Sequence, residues 1–478
     1  MNRRLIARVV GLILGVEALC MLPCLAVALF TRGADVLPFC RSILLCGAVS
    51  LALVCVRQSS RRLQTRDGFV AVALCWIFLG LFGALPYAFY GYSCADAVFE
   101  AVSGFTTTGA TVIARPSALP RGLQLWRALT QWMGGMGVLV MVLALLPSLG
   151  EGSVNLMKAE SPGPISSKLR PKTSETARSL YVIYIALTLA ETVLLALAGM
   201  PLFDSLTTAF TTISTGGFSV RDTSVAYYAS ETVNWIIVAF MFVSAVNFGA
   251  LFEAQRGQWR GALKSEELRV YTAVTAAASC LISAELVLRL GRGVYESVSQ
   301  SVFQVCTLMT TTGYATADYD LWPPFSKAVL LLVMFVGGCA GSTAGGVKIS
   351  RAVILFKGLR RELNRILHTR EVRPLTLEGA RVDEGTVSSV SAFFFAYVAV
   401  MCLCAAVVSL DGVGLATSLS AALTAISNVG PGLELVGPTC SFAFFSGLSK
   451  AALTVTMLLG RLEIMPLLVL LAPGVWKK

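Results

Sequence analysis

The stretch FEAVSGFTTTGAT, Phe99 to Thr111, decides how this chain is read. A short apolar segment, Ala95–Phe105, runs directly into Thr106-Thr107-Thr108-Gly109. The same arrangement returns three times. Phe203–Ile213 leads into Ser214-Thr215-Gly216-Gly217, Tyr295–Met309 into Thr310-Thr311-Thr312-Gly313, and Gly414–Ile426 into Ser427-Asn428-Val429-Gly430. The first glycines are separated by 107 (216−109), 97 (313−216) and 117 (430−313) residues. Recurrence at this interval implies four similar modules in one polypeptide. Each apolar segment falls short of the roughly 20 residues that cross a bilayer. Half-length segments are read as re-entrant helices, which are tolerated where the irregular backbone after them is buried in protein or lines a water-filled cavity.

Composition sets the surroundings. The 478 residues are 56% hydrophobic and only 14% charged, against roughly 25% charged in soluble domains. The fold class is therefore an all-α polytopic membrane protein. Ten spans are expected, at 5–30, 36–56, 69–91, 127–149, 177–199, 232–254, 269–290, 325–358, 389–410 and 442–472. The net charge of +11 lies in loops between apolar segments, which argues against nucleic acid and for a lipid bilayer whose cytoplasmic loops carry Lys and Arg. Thirteen cysteines without a CxxC pair and a single histidine, His368, exclude zinc, haem and di-iron chemistry. No cluster suits an enzyme. Leu5–Phe30 follows Arg3 and Arg4 as a signal peptide would, but its apolar run is too long and it reads as a retained helix.

The repeating unit is helix, half-helix, loop, helix. It gives a two-helix extension (1–66) and pore repeats at 67–160, 161–265, 266–380 and 381–478, the third carrying a candidate gate loop. With all ten helices spanning, the basic clusters, from Arg3, Arg4 and Arg8 to Lys477 and Lys478, fall on one side. That puts both termini in the cytoplasm and the glycine strings in the outer half.

Four such loops around an axis suit a monovalent cation. An ion stripped of water must be re-coordinated, and rings of backbone carbonyls do this. Glycine lets the backbone turn its oxygens inward. The candidate walls are Thr107, Thr108 and Gly109; Ser214, Thr215 and Gly216; Thr311, Thr312 and Gly313; and Asn428, Val429 and Gly430. Each half-helix would aim a C-terminus bearing about half a negative charge at the path. Asp318 and Asp320 lie near the expected outer mouth, either concentrating cations weakly or simply solvated.

These residues resemble the Trk/Ktr/HKT superfamily of potassium transporters, closest to the TrkH type. The resemblance runs over almost the whole chain through FEAVSGFTTTGAT, QWMGGMGV (131–138), ISTGGFS (213–219), MTTTGYATADYDLWP (309–323), GGCAGSTAGGVK (337–348) and SNVGPGL (427–433). It implies four M1-pore helix-M2 repeats in pseudo-fourfold arrangement and K+ as the transported ion. It also implies a homodimer in the bacterial inner membrane and gating by a cytoplasmic nucleotide-binding subunit of the TrkA type. The alternative is a cation-coupled secondary transporter moving K+ with H+ or Na+. Inverted repeats would mark that class, whereas these repeats run in one orientation. Asn428-Val429 departs from the hydroxyl pattern of the other walls.

Two elements are gate candidates. Gly337, Gly338, Gly341, Gly345 and Gly346 fall within ten residues of an otherwise apolar helix and should break it, each interior glycine costing about 1 kcal/mol relative to alanine. The Gly341 to Gly346 gap matches a phosphate-binding loop, but Val347 stands at the lysine position. The resemblance implies an obstructing loop below the filter. It also implies that Arg461, in the last helix, faces the pore, where a like charge 6 Å away repels a cation by roughly 3 kcal/mol at an effective dielectric of 20. The alternative for Arg461 is pairing with Glu463 or the C-terminal interface. Glu17, Glu100, Gln131, Glu191, Asn247 and Glu285 read as interhelical hydrogen-bonding or interfacial residues, with Glu100 also a candidate filter support.

Overall fold

The computed structural model describes residues 2–56, 65–137, 173–368 and 374–473. Its helices are α1 (Arg3–Thr31), α2 (Val36–Val54), α3 (Thr65–Gly83), α4 (Leu85–Tyr90), α5 (Cys94–Phe105), α6 (Arg121–Gly135), α7 (Thr173–Leu197), α8 (Leu202–Ile213), α9 (Glu231–Ser244), α10 (Phe248–Gln255), α11 (Trp259–Lys264), α12 (Glu266–Leu290), α13 (Val294–Met309), α14 (Pro324–Val336), α15 (Ile349–Leu367), α16 (Glu384–Val408), α17 (Leu415–Ser427), α18 (Gly447–Arg461) and α19 (Met465–Leu471). A two-stranded hairpin, β1 (Thr376–Leu377) and β2 (Ala380–Arg381), precedes α16. Among the described residues six helices are long and apolar enough to cross a membrane, or seven if the bent pair α9–α10 counts as one.

The half-helices α5, α8, α13 and α17 appear within a residue of their expected bounds. Their placement closes a circle. Each packs against the helices flanking it in its own repeat and against the second helix of the repeat before. Thus α8 touches α6, α13 touches α9, α17 touches α14, and α5 touches α18 at the far end of the chain. The N-terminal pair lies outside this circle, with α1 packed on α2, α3 and α6.

The second helix of each repeat is not one continuous span. The expected helix 232–254 bends by 99° between α9 and α10. The expected 325–358 splits at the glycine loop into α14 and α15, and 442–472 splits at Leu462–Ile464 into α18 and α19. Helix α6 ends before Gly137, a left-handed residue (φ 85°); the rest of the 127–149 span and most of the 150–176 loop lie outside the described residues.

Small residues set the α1–α2 approach, as expected where helices have no water to exclude. Ser50 donates to the Gly11 carbonyl at 2.7 Å, and the Cys46 thiol to that of Leu14 at 3.2 Å. A Cβ on Gly11 would stand 2.8 Å from the Leu53 Cβ, whereas one on Gly47 meets open space. Gly11→Val is therefore expected to lower the detergent melting temperature by the equivalent of about 1–3 kcal/mol, while Gly47→Ala does not lower it. Fluorescence-monitored unfolding of both variants checks this.

Candidate ion pathway

Each half-helix ends in the same cap. A left-handed residue follows: Thr107 (φ 56°), Thr215 (55°) and Thr311 (57°), each just after its C-cap, and Asn428 (55°), the C-cap of the longer-wound α17. The N–H of the next residue then reaches back five positions: Thr108 to Ser103 (2.9 Å), Gly216 to Thr211 (2.8 Å), Thr312 to Thr307 (2.8 Å) and Val429 to Thr424 (3.0 Å). This is the Schellman arrangement, in which the left-handed position usually holds glycine. A β-branched residue there is strained, at a cost of about 1–3 kcal/mol. One residue further on, Gly109, Gly217, Gly313 and Gly430 also have positive φ (81°, 73°, 84° and 103°).

This geometry corrects the register of the second wall. The equivalents of Thr107-Thr108-Gly109 are Thr215-Gly216-Gly217, not Ser214-Thr215-Gly216. Ser214 is a C-cap like Thr106 and Thr310. The misalignment came from counting first glycines, because Gly216 stands where the first and third strings have threonine.

The four walls meet in cyclic order. A Cβ on Gly109 would overlap the Gly216 carbonyl oxygen, one on Gly217 that of Thr312, and one on Gly313 that of Val429; on Gly430 it would lie 2.8 Å from that of Thr108. Carbonyls of all four repeats thus abut the glycine of the neighbouring wall. The same four glycines line a cavity of about 230 Å³ that forms a mouth on one side of the ring.

On the other side lies the glycine loop, which touches the second, third and fourth repeats directly. The Gly345 N–H donates to Thr311 Oγ1 at 2.8 Å, and a Cβ on Gly345 would overlap the Ser427 carbonyl. Thr343 Oγ1 donates to the carbonyls of Ile213 (3.2 Å) and Ser244 (3.1 Å). The first repeat is reached through Arg461, which donates to the Thr343 carbonyl at 3.1 Å and to the carbonyls of Gly134 and Gly135. Arg461 and the five glycines Gly337, Gly338, Gly341, Gly345 and Gly346 therefore belong to one assembly beneath the ring. Arg461 does not pair with Glu463, whose carboxylate holds Lys348 Nζ at 2.8 Å and the Arg351 guanidinium.

A second carboxylate fastens the loop from outside. Glu267 Oε1 accepts the N–H groups of Ala340 (2.7 Å) and Ser350 (3.1 Å), before and after the central glycines. Glu378, in the hairpin turn, accepts from Ser265 Oγ (2.8 Å) and the Glu266 and Glu267 amides (3.0 and 3.1 Å), capping α12. Burial alone would raise the Glu378 carboxyl, but these donors hold it below the usual glutamate value.

Glu100, a candidate support in the sequence, braces the backbone that follows the first wall. It is buried, accepts the Val112 N–H at 3.1 Å and Thr111 Oγ1 at 3.0 Å, and pairs with Arg127 Nε at 2.8 Å. Arg127, which sequence reasoning did not single out, also donates to the Ser219 carbonyl at 2.9 Å and stacks 4.1 Å over the Phe218 ring. It ties the strand after the first wall to the strand after the second. Glu267, in the charge-rich loop before the expected 269–290 span, was also missed, as were Lys348 and Arg351, which lie inside the expected 325–358 span. Asp318 and Asp320 brace loops: Asp318 caps the Asp320 N–H (3.0 Å), and Asp320 accepts the Glu434 N–H (3.0 Å). Burial pushes the Asp320 carboxyl up from its ordinary value, opposed by that amide.

Comparison with known proteins places this geometry. The family profile TrkH, described as cation transport protein, matches residues 38–257 and 286–477. The Trk system potassium uptake protein TrkH of Salmonella typhimurium is 37% identical, and that of Vibrio parahaemolyticus 38%, each alignment covering 100% of both chains. The crystal structure of the potassium transporter TrkH from Vibrio parahaemolyticus superposes with a TM-score of 0.90 at 35% identity, again over 100% of both chains.

Breaking a buried ion pair from one side leaves a stranded charge, at a cost of about 3–5 kcal/mol. Arg127→Met is expected to lose that much stability, and Glu100→Met with Arg127→Met to recover at least half of it. A double-mutant cycle of melting temperatures measures the coupling.

Proposed function

Since this chain belongs to the TrkH family of cation transport proteins, we propose that it takes up potassium across the cytoplasmic membrane through the ring of four re-entrant walls. The observation that carries this reading is the cyclic contact of Thr108, Gly216, Thr312 and Val429 carbonyls with the glycines of the adjacent walls. Three of those oxygens, on Thr108, Thr312 and Val429, accept no hydrogen bond among the described residues, so their lone pairs are available to an ion. The half-helix C-termini add negative potential at the same point. The filter in this reading is Thr107-Thr108-Gly109, Thr215-Gly216-Gly217, Thr311-Thr312-Gly313 and Asn428-Val429-Gly430, each repeat supplying one wall.

The glycine loop is the gate and Arg461 its fastening. The guanidinium acts less as a free charge facing a passing cation than as a link: it holds the Thr343 carbonyl against the end of α6. Opening requires the loop to leave the axis, which breaks that link. The relatives are named as transporters rather than enzymes, and as parts of a Trk system. In this reading, as the sequence resemblance implies, the chain works as a homodimer with both termini cytoplasmic, under control of a nucleotide-binding subunit of the TrkA type. The α15 helix and the 376–381 hairpin are the parts of the gate-loop assembly that such a subunit would reach.

Growth rescue of a potassium-uptake-deficient bacterium at low K+, with rubidium and sodium fluxes compared in vesicles, tests the function. Rescue with rubidium flux well above sodium flux is expected; absence of both overturns the reading. Arg461→Ala removes charge-assisted hydrogen bonds of the kind that contribute about 1.5–3 kcal/mol. It is expected to raise basal rubidium flux on the order of tenfold or more. Unchanged flux from a properly folded variant removes Arg461 from the gate.

A further inference from the structure

The walls share a backbone but not a side chain at the central position. Thr108 and Thr312 fill it in the first and third repeats, and each hydroxyl pairs at 2.8 Å with the threonine two residues before, Thr106 or Thr310. In the second repeat Ser214 stands at the earlier position, but Gly216 leaves the central one without a side chain. That space is filled from elsewhere. The three atoms nearest a Cβ built on Gly216 all belong to the Gln131 carboxamide, the closest of them overlapping it. Gly216 itself is not in the left-handed region, so its backbone would accept an L side chain if Gln131 were not there.

Gln131 does more than occupy volume. Fully buried on α6 of the first repeat, it donates from Nε2 to the Gly216 carbonyl at 2.7 Å and accepts the Phe218 N–H on Oε1 at 3.0 Å. It therefore grips the second wall on both sides of Gly217. The Gly216 oxygen is the ring carbonyl that touches Gly109. It has a second lone pair for an ion, but its direction is fixed by an amide from the neighbouring repeat.

We infer that Gln131 is a specificity-determining residue of the second wall, standing in space for the threonine that the first and third walls carry and fixing the second-wall carbonyl through a hydrogen bond of its own. The inference rests on the pore reading above. Discrimination between K+ and a smaller cation depends on the number and field of carbonyls held around the site. Without the amide, the Gly216 carbonyl loses its donor and the side chain packed behind it. It is then free to turn towards a smaller ion.

The test compares rubidium-to-sodium flux ratios of the full-length protein in vesicles. Gln131→Ala and the similarly sized Gln131→Met should both lower the ratio by about fivefold, the factor carried by one neutral hydrogen bond. Gly216→Thr alone should be defective, because the space is taken. Combined with Gln131→Ala it should return the ratio to within about twofold of the parent. An unchanged ratio in Gln131→Ala overturns the inference. So does a double variant that stays as unselective as Gln131→Ala or fails to fold, since the exchange requires the space to be interchangeable. A parent protein that passes no rubidium would instead remove the pore reading, a separate outcome.

Discussion

The structure depends on four helix C-termini converging at membrane depth. The last carbonyls of a helix have no partners within it, and four such ends together concentrate negative potential where no water bulk can screen it. Two physical responses are visible. Each end is closed by a Schellman cap that returns one N–H to a hydroxyl-bearing residue, Ser103, Thr211, Thr307 or Thr424. Beyond the left-handed residue, the next carbonyl of each wall abuts a glycine of the neighbouring wall. The sequence places threonine or asparagine at that strained position instead of glycine, so conformational freedom is not what selects the residue. Three of the side chains have partners: Thr215 Oγ1 donates to the Ser214 carbonyl (2.7 Å), Thr311 Oγ1 accepts from the glycine loop, and Asn428 Nδ2 donates to Thr108 Oγ1 (2.9 Å) and the Met457 carbonyl (3.0 Å). The surrounding contacts hold the strain, as a ring of fixed geometry requires.

The broken second helices answer to the same constraint. A loop at the axis beneath the ring needs partners for its own backbone, since lipid supplies none. The break after α9 supplies them: Cys339 N–H donates to the Ala245 carbonyl at 3.0 Å, and Phe248 N–H to that of Gly341 at 3.0 Å. Helix and loop thus exchange the hydrogen bonds each has lost. The other end of the loop shows the cost of the arrangement in non-glycine residues with positive φ: Lys348 (75°), Glu463 (54°) and Ile464 (66°). Two of these form the buried ion pair that closes it.

How much of this was legible follows from where each signal is encoded. The half-helices were readable almost to the residue, because a dozen apolar residues ending in small hydroxyl residues is a local pattern. The loop break at Gly337–Gly346 was readable because five glycines cannot hold a helix. The break at Ala245–Asn247 was not, since it contains neither glycine nor proline; what makes it is a partner a hundred residues away. Asn247, which caps α10 by accepting the Gly249 N–H at 2.7 Å, was a usable capping signal read instead as an interhelical contact. Glycine counting shifted the second wall by one position; counting from the upstream hydroxyls Ser103, Thr211, Thr307 and Thr424 would have set it correctly. Arg127 lay inside an expected span without being weighed, although a buried arginine opposite Glu100 is the kind of intramembrane charge that has a partner.

The register also explains the motif QWMGGMG around Gln131. Helix α6 comes so close to the first two walls that a Cβ on Gly134 would overlap the Phe105 carbonyl, and one on Gly135 would lie 2.7 Å from the Ser214 Cβ. A helix pressed this tightly against the walls can act on them only through side chains that reach along its surface, and Gln131 is one turn back at the right distance. The fourth wall has its own substitute, the Asn428 bridge and a 2.5 Å contact between Tyr397 and Ser427. Fourfold equivalence therefore holds for the backbone, which an ion would meet, and fails for the side chains behind it. Threonines support two walls and unlike residues borrowed from other helices support two. A single chain can arrive at this solution where a tetramer of identical subunits cannot, because each wall can be braced by different chemistry as long as its carbonyl ends in the same place.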